Sequence, residues 1–267
     1  MSPPDDISLT RPQFVGARVV RREDPRLLTG AGNYVADIKR HGMVHIAFRR
    51  SDHAHALIKN IDVSAARAVP GVVAIYTGAD IARLANPYQA TSRMKTYQAT
   101  YIPPIATEKV RYVGEAVVAV VAESRYVAED ALAQIVIDYE PLAVLVDPEE
   151  SLKPDAPKLH DDLASNILAE REFSRGEVDE AFANAAETAG GRFHFTRTTP
   201  VTIEARASVA EYDRGARALT LYCTTQIPGI VRDKLSEIFD LPGPRIRVIA
   251  PDVGGGFGGK TSLYSEE

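Results

Sequence analysis

Apolar and polar positions along the chain fall into short runs separated by charged, glycine-rich or proline-rich stretches. The opening MSPPDDISLTRPQ has no period and reads as a loose arm; VGARVVRREDPRLLTGAGNYVADI after it reads as extended chain with turns. The pattern then sharpens. HGMVHIAFRRS (41–51) and ALIKNIDV (56–63) predict strands. SAARAV predicts a short helix with Ser64 as its cap, and GVVAIYTG (71–78) predicts a β-branched strand ending in a turn glycine. Residues 80–110, with Pro87, Pro103 and Pro104, are irregular, the kind of long loop that covers a surface or meets a partner. GEAVVAVVAES (114–124) predicts an almost wholly apolar strand. RYVAEDALAQI (125–135) has helical spacing, with Val127, Ala131 and Ile135 on one side, and IVIDYEPLAVLV (135–146) predicts a strand broken by Pro141. Strand, helix and strand with this much valine predict a sheet covered on at least one face by helices.

DPEESLKPDAPKLHDDLASN (147–166) is charged and proline-rich, and marks the boundary between two regions. Beyond it, GEVDEAFANAAETA (176–189) has helical character, and FHFTR and VTIEARASVAEYD (193–213) have strand character. ARALTLYCTTQ (216–226) predicts a strand, and GIVRDKLSEIF (229–239) a helix with Ile230, Leu235 and Ile238 on its apolar side. RIRVIAPDV (245–253) predicts another strand, so residues 216–253 form a second strand–helix–strand unit.

Composition narrows the classes. The chain has 267 residues, enough for one large domain or two small ones, and 45% of them are hydrophobic, which is globular usage. A formal charge of -5 argues against nonspecific nucleic-acid binding. A single cysteine, Cys223, excludes an intramolecular disulfide and any iron–sulfur cluster held by this chain's own thiolates. It closes an apolar strand and reads as a buried spectator thiol. His53 and His55 have no well-spaced companions, so no metal site is assigned. No run reaches 18 apolar residues, and the start lacks the basic-then-apolar pattern of a secretory signal, so no transmembrane segment and a cytoplasmic location are expected.

The sharpest local feature is VGGGFGGKTS (253–262). Its glycines let backbone amides approach a bound group closely. A flexible turn is the plainest reading. Gly254, Gly259, Lys260 and Thr261 also fit the phosphate-loop string, and Gly254, Gly256 and Gly259 the dinucleotide string, each after a strand. Both strings need a following helix, and only six residues come after Thr261.

The loop, with several long blocks in the same order, resembles the molybdopterin-binding large subunits of the xanthine dehydrogenase, aldehyde oxidase and carbon monoxide dehydrogenase family. The blocks are EDPRLLTGAGNYVADI, FRRSDHAHALIKNID, PGVVAIYTGADI, VRYVGEAVVAVVAESRYVAEDALAQIVIDYEPL, IEARASVAEYD, TTQIPGIVRDKL and RIRVIAPDVGGGFGGK. The resemblance implies an α+β chain: an α/β-hammerhead domain over residues 15–150 behind an arm at 1–14, a linker at 151–166, and at 167–267 the start of a molybdopterin-binding α/β domain. Gln226 falls where the family has a glutamine whose amide bonds an oxo group on molybdenum. Gly255, Gly256, Phe257 and Gly258 match the loop beside the metal and pterin, with Phe257 shaping the site by backbone and ring. Lys260 reads as solvated. Glu204 stands where the family often has a glutamate in an M-E-P-R-like string, here Ile203-Glu204-Ala205-Arg206, and a plain salt bridge to Arg206 is the bland reading.

The implied activity is a molybdenum hydroxylase, oxidising an aldehyde, an N-heterocycle or a similar small substrate with water as oxygen source. The implied cofactor is molybdenum on molybdopterin or molybdopterin cytosine dinucleotide, shared with the rest of the large subunit. The 2Fe-2S clusters and FAD are expected in partner chains, an iron–sulfur subunit and an FAD subunit. The glutamate base and most pterin contacts belong to sequence beyond residue 267. A split large subunit is therefore expected, with its remainder a separate chain covering apolar faces left open at 216–253, and with the isolated chain inactive. The alternative is a noncatalytic binding or scaffold module with an incomplete cofactor site.

Overall fold

A computed structural model describes residues 15–90, 92 and 94–267; the arm at 1–14 lies outside the described residues. The first region runs through α1 (Asp24–Leu28), β1 (His45–Arg50), β2 (Ala56–Asp62), α2 (Ser64–Arg67), β3 (Val72–Thr77) and α3 (Gly78–Ile81). It continues through the short strands β4 (Tyr88–Gln89), β5 (Tyr101–Ile102) and β6 (Lys109–Val110), then β7 (Ala116–Ala122), α4 (Arg125–Leu132) and β8 (Val136–Pro141). The second region holds α5 (Val178–Ala183), β9 (Ser208–Asp213), β10 (Ala218–Cys223), α6 (Pro228–Phe239) and β11 (Ile246–Ile249).

β7 explains its own composition. It lies between β1 and β3, antiparallel to both, so neither edge nor face meets water for long. Val117, Val118 and Val120 are fully buried. A strand covered on both faces has no position to spare for alternation. Ser124 caps α4 by accepting the Val127 amide at 3.2 Å, and the buried Ala128 and Ala131 let this helix lie close on the sheet.

The expected single sheet over 114–146 is corrected. β8 leaves β7 and pairs with β2, in a second antiparallel sheet of order β6-β2-β8. Both sheets feed one apolar cluster, in which Ala47, Ile75, Val118 and Val120 from the first meet Ala56 and Val110 from the second. The α2 cap is also corrected. The N-cap position is Val63, without a side-chain cap; Asp62 before it accepts the Ser64 amide at 2.9 Å, and the Ser64 hydroxyl and amide hold the Asp62 carboxyl below its ordinary range. Gly78 does more than turn the chain: a Cβ there would stand 2.2 Å from the Ala106 carbonyl oxygen, so the start of α3 rests directly on backbone.

The irregular segment 80–110 ties the two regions together. The Asn86 amide donates to Ile238 O at 2.8 Å, and Gln98 donates from its amide to Leu168 O at 2.7 Å and from Nε2 to Ile167 O at 2.8 Å. Residues 147–166 fold back as well. Lys109, 7% exposed, reaches Asp161 at 2.6 Å, and Asn166 braces the turn by accepting the Leu159 amide at 3.0 Å.

In the second region β10 pairs antiparallel with β9 and parallel with β11, and α6 makes the crossover. α6 buries Val231, Leu235 and Ile238, while Ile230 is 55% exposed. Positions 231, 235 and 238 follow the i, i+4, i+7 stripe; Ile230 stands about 100° off it. The helical stretch 176–189 reduces to six residues, Val178–Ala183. The strand-like stretch 193–207 joins no ladder among the described residues, and regular pairing begins at Ser208.

Gly78→Ala in the full chain should lower stability in equilibrium urea unfolding by roughly 1–3 kcal/mol, because backbone must move to admit the methyl group. Gly229→Ala, in the open first turn of α6, should raise it by about 0.5–1 kcal/mol. Equal midpoints for Gly78→Ala and wild type would refute the close approach.

Candidate functional site

The C-terminal end of β10 and the loop after β11 meet. Thr224 and Thr225 are buried, and the Thr225 hydroxyl accepts the Ile227 amide at 3.1 Å, turning the chain into α6. Gln226 lies on that turn. Its amide donates to Lys260 O at 2.9 Å, and its Oε1 accepts the amides of Gly258 at 3.2 Å and Lys260 at 3.3 Å. Two donors on one corner identify it as the carbonyl oxygen and leave the Nε2 corner as the donor. Gly256 is the space this side chain crosses, since a Cβ there would stand 2.5 Å from Gln226 Cδ and Oε1. Phe257, 81% exposed, has φ +48°, a left-handed conformation costing a non-glycine residue roughly 1–2 kcal/mol. The structure thus brings Gln226, Gly255, Gly256, Phe257 and Gly258 together, from segments about 30 residues apart in sequence.

A feature unforeseen from sequence holds this loop. Lys260 is 2% exposed, and its Nζ donates to Glu204 O at 2.9 Å and Glu204 Oε2 at 3.2 Å. Glu204 Oε2 also accepts the Gly254 amide at 2.6 Å, so one carboxylate grips both ends of the glycine run. Glu204 Oε1 is buried without a partner. Two expectations are thereby corrected. Lys260 is not solvated, and Glu204 does not pair with Arg206, which instead reaches Glu266 at 3.3 Å and lies 3.7 Å over the Tyr264 ring. The phosphate-loop string fails on the same ground, because its lysine is committed to a carboxylate and no helix follows among the described residues. Nothing in the local pattern couples residues 204 and 260; the only signal was the family string around Glu204.

Asp252, just before the loop, docks residues 24–33. It forms a two-pronged pair with Arg26, one arm at 2.5 Å, and accepts the Asn33 amide at 2.8 Å. Arg26 and then Asn33 hold its carboxyl down at about 2. Cys223 is fully buried, and burial, with Glu267 adding to it, pushes its thiol up to about 12. His55 Nδ1 sits 2.8 Å from Ala143 O, and the His53 ring is tilted against Tyr139.

The loop amides of Gly254, Gly258 and Lys260 are spent on Glu204 and Gln226. Those of Gly255, Gly256 and Phe257 take no such bond among the described residues. With the Lys260 charge neutralised by Glu204, the site offers uncharged donors: three amides and one carboxamide. A two-sheet domain is thus followed by an α/β unit whose glycine loop, at the strand ends, leaves backbone amides free to meet a bound group.

Comparison with known proteins gives the family. Residues 29–143 match the aldehyde oxidase and xanthine dehydrogenase a/b hammerhead domain, and residues 159–267 match the molybdopterin cofactor-binding domain. The carbon monoxide dehydrogenase large chain of Afipia carboxidovorans is 41% identical, over 95% of this chain and 32% of the relative. The nicotine 6-hydroxylase large subunit of Paenarthrobacter nicotinovorans is 40% identical, over 100% of this chain and 32% of the relative. Quinoline 2-oxidoreductase from Pseudomonas putida 86 superposes with a TM-score of 0.87 at 41% identity, covering 93% of this chain and 31% of that one. The chain belongs to the family of molybdopterin-binding large subunits that includes xanthine dehydrogenase, aldehyde oxidase and carbon monoxide dehydrogenase, and spans about a third of the length of the curated relatives it matches. No helix among the described residues is long and apolar enough to cross a membrane.

Asp252 should titrate near 2 in a carbon-13 carboxyl titration of the folded chain. Because its folded value lies below its ordinary 3.8, its contribution to stability is present above that value and lost as pH falls toward 2. Cys223 should resist a thiol reagent at pH 8 in the folded chain, and one thiol per chain should react after unfolding in guanidinium. Rapid labelling of the folded chain would contradict the buried thiol.

Proposed function

We propose that this chain carries part of the molybdenum-cofactor site of a multi-subunit molybdenum hydroxylase. The observation that carries the reading is the Gln226 carboxamide, held by loop amides at its oxygen so that its Nε2 is left as a donor, on a loop whose Gly255, Gly256 and Phe257 amides take no hydrogen bond among the described residues. These donors fit a molybdopterin, whose oxygen- and sulfur-rich centre is stabilised by preorganised dipoles. The three glycines and Phe257 bring backbone to the cofactor, Gln226 directs a neutral donor toward its metal end, and the exposed Phe257 ring walls the site. Molybdenum on molybdopterin, or on molybdopterin cytosine dinucleotide, supplies oxygen transfer from water and takes up the electrons.

In this reading residues 15–150 are the hammerhead domain, 151–166 the joining segment and 167–267 part of a first molybdopterin-binding domain. The relatives are large chains of oxidoreductases named for carbon monoxide and nicotine. A small aldehyde, N-heterocycle or similar molecule is the substrate class. The remainder of the large subunit, an iron–sulfur subunit and an FAD subunit are the partners, in the cytoplasm. The exposed side chains between residues 173 and 203 support the first of these partners. Phe173, Phe193, Phe195, Val201 and Ile203 are each at least 77% exposed, apolar side chains open to cover by a partner.

The test is isolation of the native assembly, with the mass of every co-purifying polypeptide and its molybdenum and pterin content. The expected result is molybdenum and pterin in an assembly larger than this chain, and neither in the chain alone. A molybdenum-containing monomer overturns the shared site. A molybdenum-free assembly overturns the cofactor reading in favour of a noncatalytic module.

A further inference from the structure

The Glu204–Lys260 pair lies outside the set of residues proposed to touch the cofactor, yet it holds both ends of the loop. Glu204 Oε2 accepts the Gly254 amide at 2.6 Å and Lys260 Nζ at 3.2 Å, while Nζ also donates to Glu204 O at 2.9 Å. Lys260 then fixes Gln226 from its other end, accepting the Gln226 amide at its carbonyl and giving its own amide to Gln226 Oε1. Thr202 steadies the segment that carries the carboxylate by donating its hydroxyl to Glu204 O at 2.6 Å. We infer that Glu204 and Lys260 are the positioning residues of the cofactor loop, a buried ionic clasp that sets the spacing of residues 254–260 and through it the aim of Gln226 and of the free amides. The inference rests on the reading that this loop meets the cofactor.

Physical reasons favour a clasp over incidental packing. A lysine at 2% exposure needs a counter-charge, and here only the carboxylate of Glu204 lies within salt-bridge reach among the described residues. The carboxylate in turn is closed off by the loop, since a Cβ at Gly254 would stand 2.5 Å from Glu204 Cβ. Loop, carboxylate and ammonium therefore form together. The carboxylate also keeps one buried unpartnered oxygen, Oε1, an acceptor that the loop itself does not use.

The experiment uses the native assembly and four forms of the chain: wild type, Glu204→Gln, Lys260→Met, and the double variant that removes both charges and keeps the shape. Each is read for thermal midpoint, molybdenum per folded assembly, the Mo(V) electron paramagnetic resonance spectrum after partial reduction, and hydrogen exchange of residues 254–260. Each single variant leaves a buried unpaired charge and should hold roughly tenfold less molybdenum, with loop amides exchanging about tenfold faster. The double variant should recover the wild-type midpoint yet keep fast loop exchange and an altered Mo(V) spectrum, a separation that a merely structural pair would not produce. Wild-type exchange and spectrum in the double variant overturn the inference. A wild-type assembly without molybdenum overturns the cofactor reading instead, and loop exchange in Glu204→Gln then decides the clasp by itself.

Discussion

A single buried ammonium governs the glycine loop of this molecule. Lys260 cannot be hydrated at 2% exposure, and the low-dielectric surroundings that make an unpaired charge costly also make a well-placed carboxylate effective. Satisfying it brings residue 204 to residue 260, and the arrival of Glu204 captures the Gly254 amide. With both ends of the loop fixed, the Gly258 and Lys260 amides converge on Gln226, and Gly256 has to be empty of side chain where Gln226 crosses. The surface pairs of this chain, such as Arg125–Glu129 and Lys153–Glu150, carry no such chain of consequences, because water competes for each partner.

Legibility from sequence followed how local each cause was. β7 was readable because burial on both faces writes itself into every position of one run. α6 was readable as a helix, and its phase slipped by one residue because Ile230, as apolar as Val231, faces water at the crossover. The assignment of β8 to a second sheet was not readable. Adjacency along the chain favours one covered sheet, and only the packing of two antiparallel sheets on one cluster decides otherwise. Phe193 and Phe195 alternate as strand residues do, but alternation specifies a face, and a ladder needs a partner.

The site shows the same division more sharply. The glycine run was visible as a string, and the role implied for Gln226 came from resemblance to a family, not from its neighbours. The clasp was invisible because its halves are separated by 56 residues, and a lysine after glycines looks solvated until its surroundings are known. The string that fits a phosphate loop is misleading for this reason. Glycines license close backbone approach, but what approaches is decided by where the lysine's charge goes. In a phosphate loop it stays free for the ligand; here Glu204 takes it.

That difference fixes the electrostatic character of the site. An unpaired lysine would bind any anion and hold it by charge alone, with most of its energy already present before a reaction begins. A loop whose cation is internally neutralised presents amide and carboxamide dipoles, set in advance by the bonds at its two ends. Such dipoles respond to negative charge that grows during a reaction and add little to the binding of a neutral ground state. Lys260 and Glu204 thus serve the site by cancelling each other, leaving its preference to be set by geometry, which is the property a buried ion pair is best able to hold constant.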